Sequence, residues 1–186
     1  MNVSHLIKQK SYEKVEYVLR RHPITFLPKI LLFLLLISTI PIVYFIFQSL
    51  FPTLFFNEIF FTCSVLFASI YYLGILLFFY EQFIIFYLDM WVVTNDRIVD
   101  VEQLGLFSRT ISELDLFRIQ DVTTDVHGLF ATVFNYGTVT VKTASNNVHI
   151  VFKNIYRPNK IREDLIQFSH IDRKFHYPNL ASDDTE

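Results

Sequence analysis

Four glycines and one cysteine in 186 residues leave little sequence for flexible linkers, and they exclude an intramolecular disulfide or a Cys-rich metal framework. The cysteine, Cys63, sits in an apolar run, where it serves as a small apolar side chain. The six histidines, His5, His22, His127, His149, His170 and His176, show no metal-ligand spacing. No HExxH, phosphate loop, dinucleotide fingerprint or nucleophile elbow occurs either. The chain therefore reads as a non-enzyme, with no catalytic residue, no metal ligand and no cofactor to expect. The largest absence is of charge: between Lys29 and Glu81 the only charged residue is Glu58.

That absence defines two apolar stretches, Ile30 to Asn57 and Ile59 to Tyr80. A helix from Ile30 to Phe51 is roughly 33 Å long, enough for a hydrocarbon core of ~30 Å. Of the 19 residues from Ile30 to Gln48, 14 are Leu, Ile, Phe or Val, which favours insertion by about 6 kcal/mol. A soluble helix keeps a polar face, and these segments have none. The expectation is an integral membrane protein with transmembrane helices at 30–51 and 59–82, the second with room to run to 88. The first stretch starts too far in and runs too long for a cleaved signal peptide. Pro23 and Pro28 suit the entry to the first helix, and Pro41 lies inside it, where it removes one backbone hydrogen bond.

Charge asymmetry sets the orientation. Residues 1–29 carry Lys8, Lys10, Lys14, Arg20, Arg21 and Lys29, and the connection from Ser49 to Glu58 carries no Lys or Arg. By the positive-inside rule both termini face the cytoplasm of an inner-membrane, multi-pass protein. The short apolar connection leaves no room for a receptor ectodomain. Residues 1–29 read as a basic juxtamembrane segment in which Ser4 to Arg21 fits either a short helix (Leu6, Ile7, Val15, Leu19) or a strand (Val15, Tyr17, Leu19). Its cations are candidate contacts for anionic headgroups. Tyr80, Tyr87 and Trp91 have the character of an interfacial aromatic belt. The candidate membrane-surface residues are thus Lys8, Lys10, Lys14, Arg20, Arg21, Lys29, Tyr87 and Trp91.

From Asp89 the apolar pattern switches to period two. Thr138 to Thr143 and Asn147 to Phe152 alternate as half-buried antiparallel strands, with Ala144 to Asn147 as their turn. Met90 to Thr94, Arg97 to Leu104 and Phe107 to Leu114 form a preceding meander, with turns at Asn95-Asp96 and Gly105, and Ile119 to Asp125 is a further strand. Ile161, Leu165 and Phe168 repeat at helical spacing behind Pro158-Asn159. The expected domain spans 89–170, strands closed by one helix, followed by a tail at 171–186 whose acidic end, Ala181 to Glu186, is not expected to be ordered.

Met90-Trp-Val-Val-Thr-Asn-Asp-Arg-Ile-Val99, Gly105-Leu-Phe-Ser-Arg109, Leu116-Phe-Arg-Ile-Gln-Asp-Val122 and Phe134-Asn-Tyr-Gly-Thr-Val-Thr-Val141 together resemble the bacterial pleckstrin-homology-like, membrane-flanked domain of the YdbS type. Glu16-Tyr-Val-Leu-Arg-Arg-His-Pro23 before a two-span hairpin is similar to that family's lead-in, so the likeness covers about residues 12 to 170. The resemblance implies an α+β cytoplasmic domain, a PH-like antiparallel β-sandwich or barrel capped by a C-terminal helix, and no settled activity. His127 to Phe134 departs from the family, with apolar and aromatic residues in place of its basic, glycine-containing loop, which speaks against an inherited anion site. Gly105 and Gly137 are expected where the chain turns sharply.

Phosphoinositide recognition needs clustered cations around the first hairpin, which here offers Asn95, Asp96 and Arg97. From Asp89 to Glu186, 10 Lys and Arg face 14 Asp and Glu, a balance that repels anionic lipid and leaves nucleic acid out as a partner. Arg109, Arg118, Lys142 and Lys153 are scattered and read as a solvated face. The expected function is a non-catalytic scaffold or interaction module at the inner membrane surface, with the lipid bilayer and another protein, or a second copy of the chain, as partners. The alternatives are a lipid-headgroup sensor and a subunit of a larger transport or secretion complex, the latter through the small face Ser64-x-x-x-Ala68.

Overall fold

A computed structural model describes residues 10, 12–52, 57–143 and 149–176. The chain divides into two compact units: Pro23–Phe86, and Met1–His22 together with Tyr87–Glu186. The apolar hairpin is therefore inserted between two parts of one folded unit. The expected turn at Ala144 to Asn147, the acidic end at Ala181 to Glu186 and Lys8 lie outside the described residues.

In the first unit a 3₁₀ turn, Pro23–Phe26, leads into α1 (Leu27–Leu50), and α2 follows over Glu58–Leu88. Pro28 occupies the first turn of α1, where its missing N–H removes no intrahelical bond. Both helices are long and apolar enough to cross a membrane, with mean hydropathy 2.8 over Pro23–Leu50 and 2.0 over Glu58–Leu88. No residue of α1 and only Ile75 of α2 is buried. Phe26 packs its ring against Phe79, Phe83 and Phe86 at centroid distances of 5.7, 6.0 and 4.8 Å.

Pro41 sits inside α1 and cannot donate to the carbonyl of Ile37, four residues back. Tyr72 of α2 supplies the missing donor, its hydroxyl reaching Ile37 O at 3.2 Å. Beside it the Tyr71 hydroxyl lies 2.7 Å from Thr39 Oγ1 and 3.2 Å from Leu36 O. An unpaired carbonyl in apolar surroundings costs several kcal/mol. The tyrosine pair thus offsets the proline and ties the two helices together.

Among the described residues the second unit holds seven strands in two antiparallel sheets. β1 (Val15–Leu19), β2 (Met90–Thr94), β3 (Arg97–Gln103) and β4 (Arg109–Asp115) form the first in sequence order. β5 (Ile119–Asp125), β6 (Tyr136–Thr143) and β7 (His149–Tyr156) form the second. A one-turn helix, α3 (Leu129–Val133), interrupts the β5–β6 connection, and α4 (Pro158–His176) is the last of the described elements. The strand reading of residues 15–19 is the correct one: Val15 pairs with Thr94 and Leu19 with Trp91. The domain consequently starts before the hairpin, and an expected boundary at Asp89 omits an edge strand that covers β2.

Side chains of both sheets and one face of α4 make the core, with Val93, Ile98, Leu116, Val139, Val141, Phe152 and Ile155 fully buried and Ile161 and Leu165 packed from the helix. The Tyr17 hydroxyl donates to Asp164 at 2.8 Å and its ring meets Phe168 at 6.2 Å, fastening β1 to α4. Gly137 is required by close approach: a Cβ there would lie 2.7 Å from Asp125 O and 2.9 Å from Val126 Cγ2. Gly105 meets no such constraint, and its turn is closed by the Leu104 N–H donating to Ser108 O at 2.9 Å.

Candidate functional site

Several basic residues of the N-terminal segment pair with groups of their own unit. Lys10 Nζ pairs with Asp96 at 2.6 Å, which raises its pKa through that hydrogen bond. Arg21 Nη2 lies 2.5 Å from Asp89 Oδ2, and Arg20 stacks its guanidinium over the Tyr87 ring at 5.1 Å. Lys29, in the helical unit, donates to Gln82 Oε1 at 2.8 Å. Lys14 has an exposed side chain, while its backbone N–H donates to Asn95 Oδ1 at 2.7 Å. Trp91 is corrected outright: it is 3% exposed and packs on Phe152 at 5.8 Å, so it belongs to the core and not to an interfacial belt. Its place on β2 puts it on the inward side with Val93, a register that a lone Trp after an apolar helix does not announce.

The β2–β3 hairpin, where an anionic headgroup would be held, is closed by an internal ion network. Arg97 Nε and Nη2 each donate to the Glu13 carboxylate at 3.0 Å, and Nη1 donates to Glu113 at 2.6 Å. Thr94 Oγ1 donates to Glu13 at 2.9 Å. Burial alone would push Glu13 up, but hydrogen bonds from Arg97, the Lys10 backbone and Thr94 outweigh it and hold the carboxyl below its ordinary value. The network holds residue 13 against the hairpin and leaves the Arg97 charge no outward direction. Of the scattered cations, Arg118 pairs with Asp115 at 3.1 Å and Lys153 with Glu102 at 2.9 Å.

An acid-lined cleft of about 260 Å³ opens instead between β2–β3 and β7, bounded by Asp89, Trp91, Asp100, Glu102, His149 and Lys153. The register of β3 explains it. Ile98 faces the core, and Asp100 and Glu102 continue the same face toward the open end. Asp89 is 2% exposed and accepts the Gln103 N–H at 2.7 Å, yet burial still outweighs that bond and Arg21 and pushes its carboxyl up. Asp100 is pushed up to about 6 by burial first, then by Glu102 and Asp89, with Lys153 and Arg21 offsetting part of the rise. The cleft thus gathers three carboxyls around Lys153, with the Asp89 and Asp100 carboxyls held above their ordinary values. The alternation of Arg97 to Gln103 was the signal for it, because acids at the second and fourth positions after Arg97's neighbour fall in the inward register.

Among the described residues no group of three or more His, Cys, Asp or Glu is placed to hold a metal ion. In the helical unit, Ser64 and Ala68 line an apolar groove of about 500 Å³ with Val43, Phe47 and Tyr71.

Residues 24–168 match the family model described as the bacterial PH domain. No curated protein matches the chain. Among solved structures it is similar to a DUF1696 family protein with a pleckstrin-homology domain from Shewanella loihica, at 16% identity over 44% of this chain and 70% of that one, with a TM-score of 0.35. The family match spans most of the sequence, both long apolar helices included, and the chain belongs to the bacterial PH domain family.

Proposed function

We propose that this bacterial PH domain chain is a multi-pass inner-membrane protein, α1 and α2 crossing the bilayer and both termini cytoplasmic, whose sandwich acts as a non-catalytic docking module for protein. The motif series from Met90 to Val141 supports the finer likeness to the YdbS type. The spanning reading rests on two long helices whose apolar side chains are almost all unburied, and the orientation on the six cations of residues 1–29 against none in the connection.

The observation that carries the protein-docking reading is the closed β2–β3 hairpin. A phosphate needs cations free to donate, and here Arg97 is committed to Glu13 and Glu113 and Lys10 to Asp96. Lys14 keeps an exposed side chain beside it, and a concave surface of the same unit is lined by Asp89, Asp100 and Glu102. That surface favours a cationic segment of a protein over an anionic headgroup.

The test uses the full chain, because a fragment starting at Asp89 lacks β1. Thermal unfolding is compared in nanodiscs of phosphatidylcholine and of phosphatidylcholine with phosphatidylglycerol, and again with added inositol hexakisphosphate. The same melting temperature is expected in all three. A rise with anionic lipid or inositol phosphate that Lys14→Gln abolishes would make the domain a headgroup sensor.

A further inference from the structure

The sandwich, a water-facing fold by its core, exposes large apolar side chains in two loops. At the β3–β4 turn Phe107 is 100% exposed, and Leu104 and Leu106 project beside it. At α3, Leu129, Phe130, Val133 and Phe134 are exposed while Ala131 alone of that turn packs inward. From Gly128 to Val141 no residue is charged. Placing α3 in an apolar medium therefore desolvates no ion.

Each loop is held beside a point where the chain passes between its two units. The chain leaves the sandwich unit after His22, and Pro23 begins the apolar segment. The His22 ring stacks on Tyr136 at 5.3 Å, two residues beyond Phe134, and its N–H donates to Asn154 O at 2.7 Å. The Asn135 carbonyl next to them accepts the Arg157 N–H at 2.9 Å. The chain returns through Leu88, the last residue of α2, to Asp89, whose carboxylate accepts the N–H of Gln103, the residue that opens the β3–β4 turn. His22 is the residue before the first crossing and Asp89 follows the last residue of α2, so each loop is tied to a residue that adjoins a chain crossing. The side chains around α3 suit it: Tyr136, Tyr156 and Arg157, the last stacked over Tyr156 at 5.0 Å, are of the kind that settles between headgroups and acyl chains.

We propose that the loops Leu104–Phe107 and Leu129–Phe134 insert into the lipid surface, making the sandwich a second, non-spanning membrane contact of this chain. The inference rests on the reading of α1 and α2 as spans. A lipid surface fits better than a protein partner because the anchoring His22 and Asp89 adjoin the two chain crossings, and a bilayer is the one partner that must be present at both. The acid network at the opposite turn, Glu13, Asp96 and Arg97, keeps that turn polar.

The test places single reporters in the full chain, reconstituted in phosphatidylcholine vesicles containing lipids brominated near the headgroup end of their acyl chains. Phe107→Trp and Phe130→Trp are compared with Phe67→Trp in α2 and with the unmodified chain, whose Trp91 is buried in the core. All three replaced side chains are largely exposed, so folding is undisturbed. The loop reporters are expected to lose several-fold more fluorescence to bromolipid than Trp91 does, and to be shielded from aqueous acrylamide. Loop reporters quenched by acrylamide and spared by bromolipid overturn the inference. So do reporters shielded from both quenchers in a manner that weakens as protein is diluted in lipid, the mark of a second copy on these loops. Phe67→Trp, read in parallel against lipids brominated at the ends of their acyl chains, separates the two levels: if it escapes those bromines the spanning reading fails, and if it is quenched while the loop reporters escape the headgroup-end bromines, only the loop insertion fails.

Discussion

No side chain of α1 is buried and only Ile75 of α2 is, although these helices are the most apolar part of the molecule. In the sandwich the reverse holds for the core: Val92, Val93, Ile98, Val99 and Phe152 are all at 0% exposure. Equal hydrophobicity thus has two meanings. In the sandwich it drives burial away from water, so each core side chain is locked among neighbours. On the proposed reading of α1 and α2 as spans, the medium around the hairpin is itself apolar, and the helices are held by packing of rings and by hydrogen bonds such as Tyr72 to Ile37 O.

The widest contrast comes from the same substitution in both units. Phe152→Ala is expected to destabilise the sandwich by about 3–5 kcal/mol, from lost burial and the cavity left behind. Phe45→Ala, at a side chain 74% exposed on α1, is expected to change thermal stability in nanodiscs very little. A large loss at Phe45 would mean that the α1 surface is covered by protein.

Next is the ion network that fixes β1 and the hairpin. Arg97→Met leaves Glu13 buried without its partner and is expected to cost roughly 3–5 kcal/mol at pH 7. Glu13 has a folded-state pKa below its ordinary value, so its contribution is present above the unfolded value and disappears as pH falls through the folded one. The variant's deficit should therefore narrow in acid, which denaturant titrations at pH 7 and below pH 4 will measure.

Asp100 has the opposite sign. Its carboxyl, pushed up to about 6 from 3.8, opposes folding while charged, and that penalty fades as pH drops through 6 toward the unfolded value. Asp100→Asn should stabilise the protein at pH 7.5 by up to about 2 kcal/mol, with the gain shrinking toward pH 4. A destabilising Asp100→Asn would show that the acid makes a hydrogen bond essential to the cleft. The smallest effect belongs to the hairpin: Tyr72→Phe removes the donor to Ile37 O and is expected to cost about 0.6–1.7 kcal/mol, read from unfolding in mixed micelles.

Much of the framework was legible along the chain. Ile119 to Asp125 forms a strand over the expected residues, and Ile161, Leu165 and Phe168 place α4 on the core as their spacing implies. These patterns are local, since periodicity alone decides which side of a strand or helix is apolar. The strand at Val15 to Leu19 was one of two open readings, because five residues fit either period and their partner β2 lies beyond the 64-residue insertion Pro23–Phe86. Trp91 was misplaced for a related reason: its face depends on the register of β2 against β1 and β3. The inward acids Asp100 and Glu102 share Ile98's parity, but parity does not reveal that the sheet opens there into a cleft with Lys153.

From the residues alone came two segments too apolar for water, an alternating β-rich domain with one capping helix, and the shortage of cations on that domain. Each of these follows from composition or spacing within a few neighbours. Only the tertiary structure decided that β1 completes the sheet across the hairpin, that Arg97 and Lys10 are consumed by Glu13, Glu113 and Asp96, and that Tyr72 caps the carbonyl Pro41 leaves open. Those outcomes depend on groups distant in sequence meeting at hydrogen-bond range, where orientation and burial, and not residue type, set the energy.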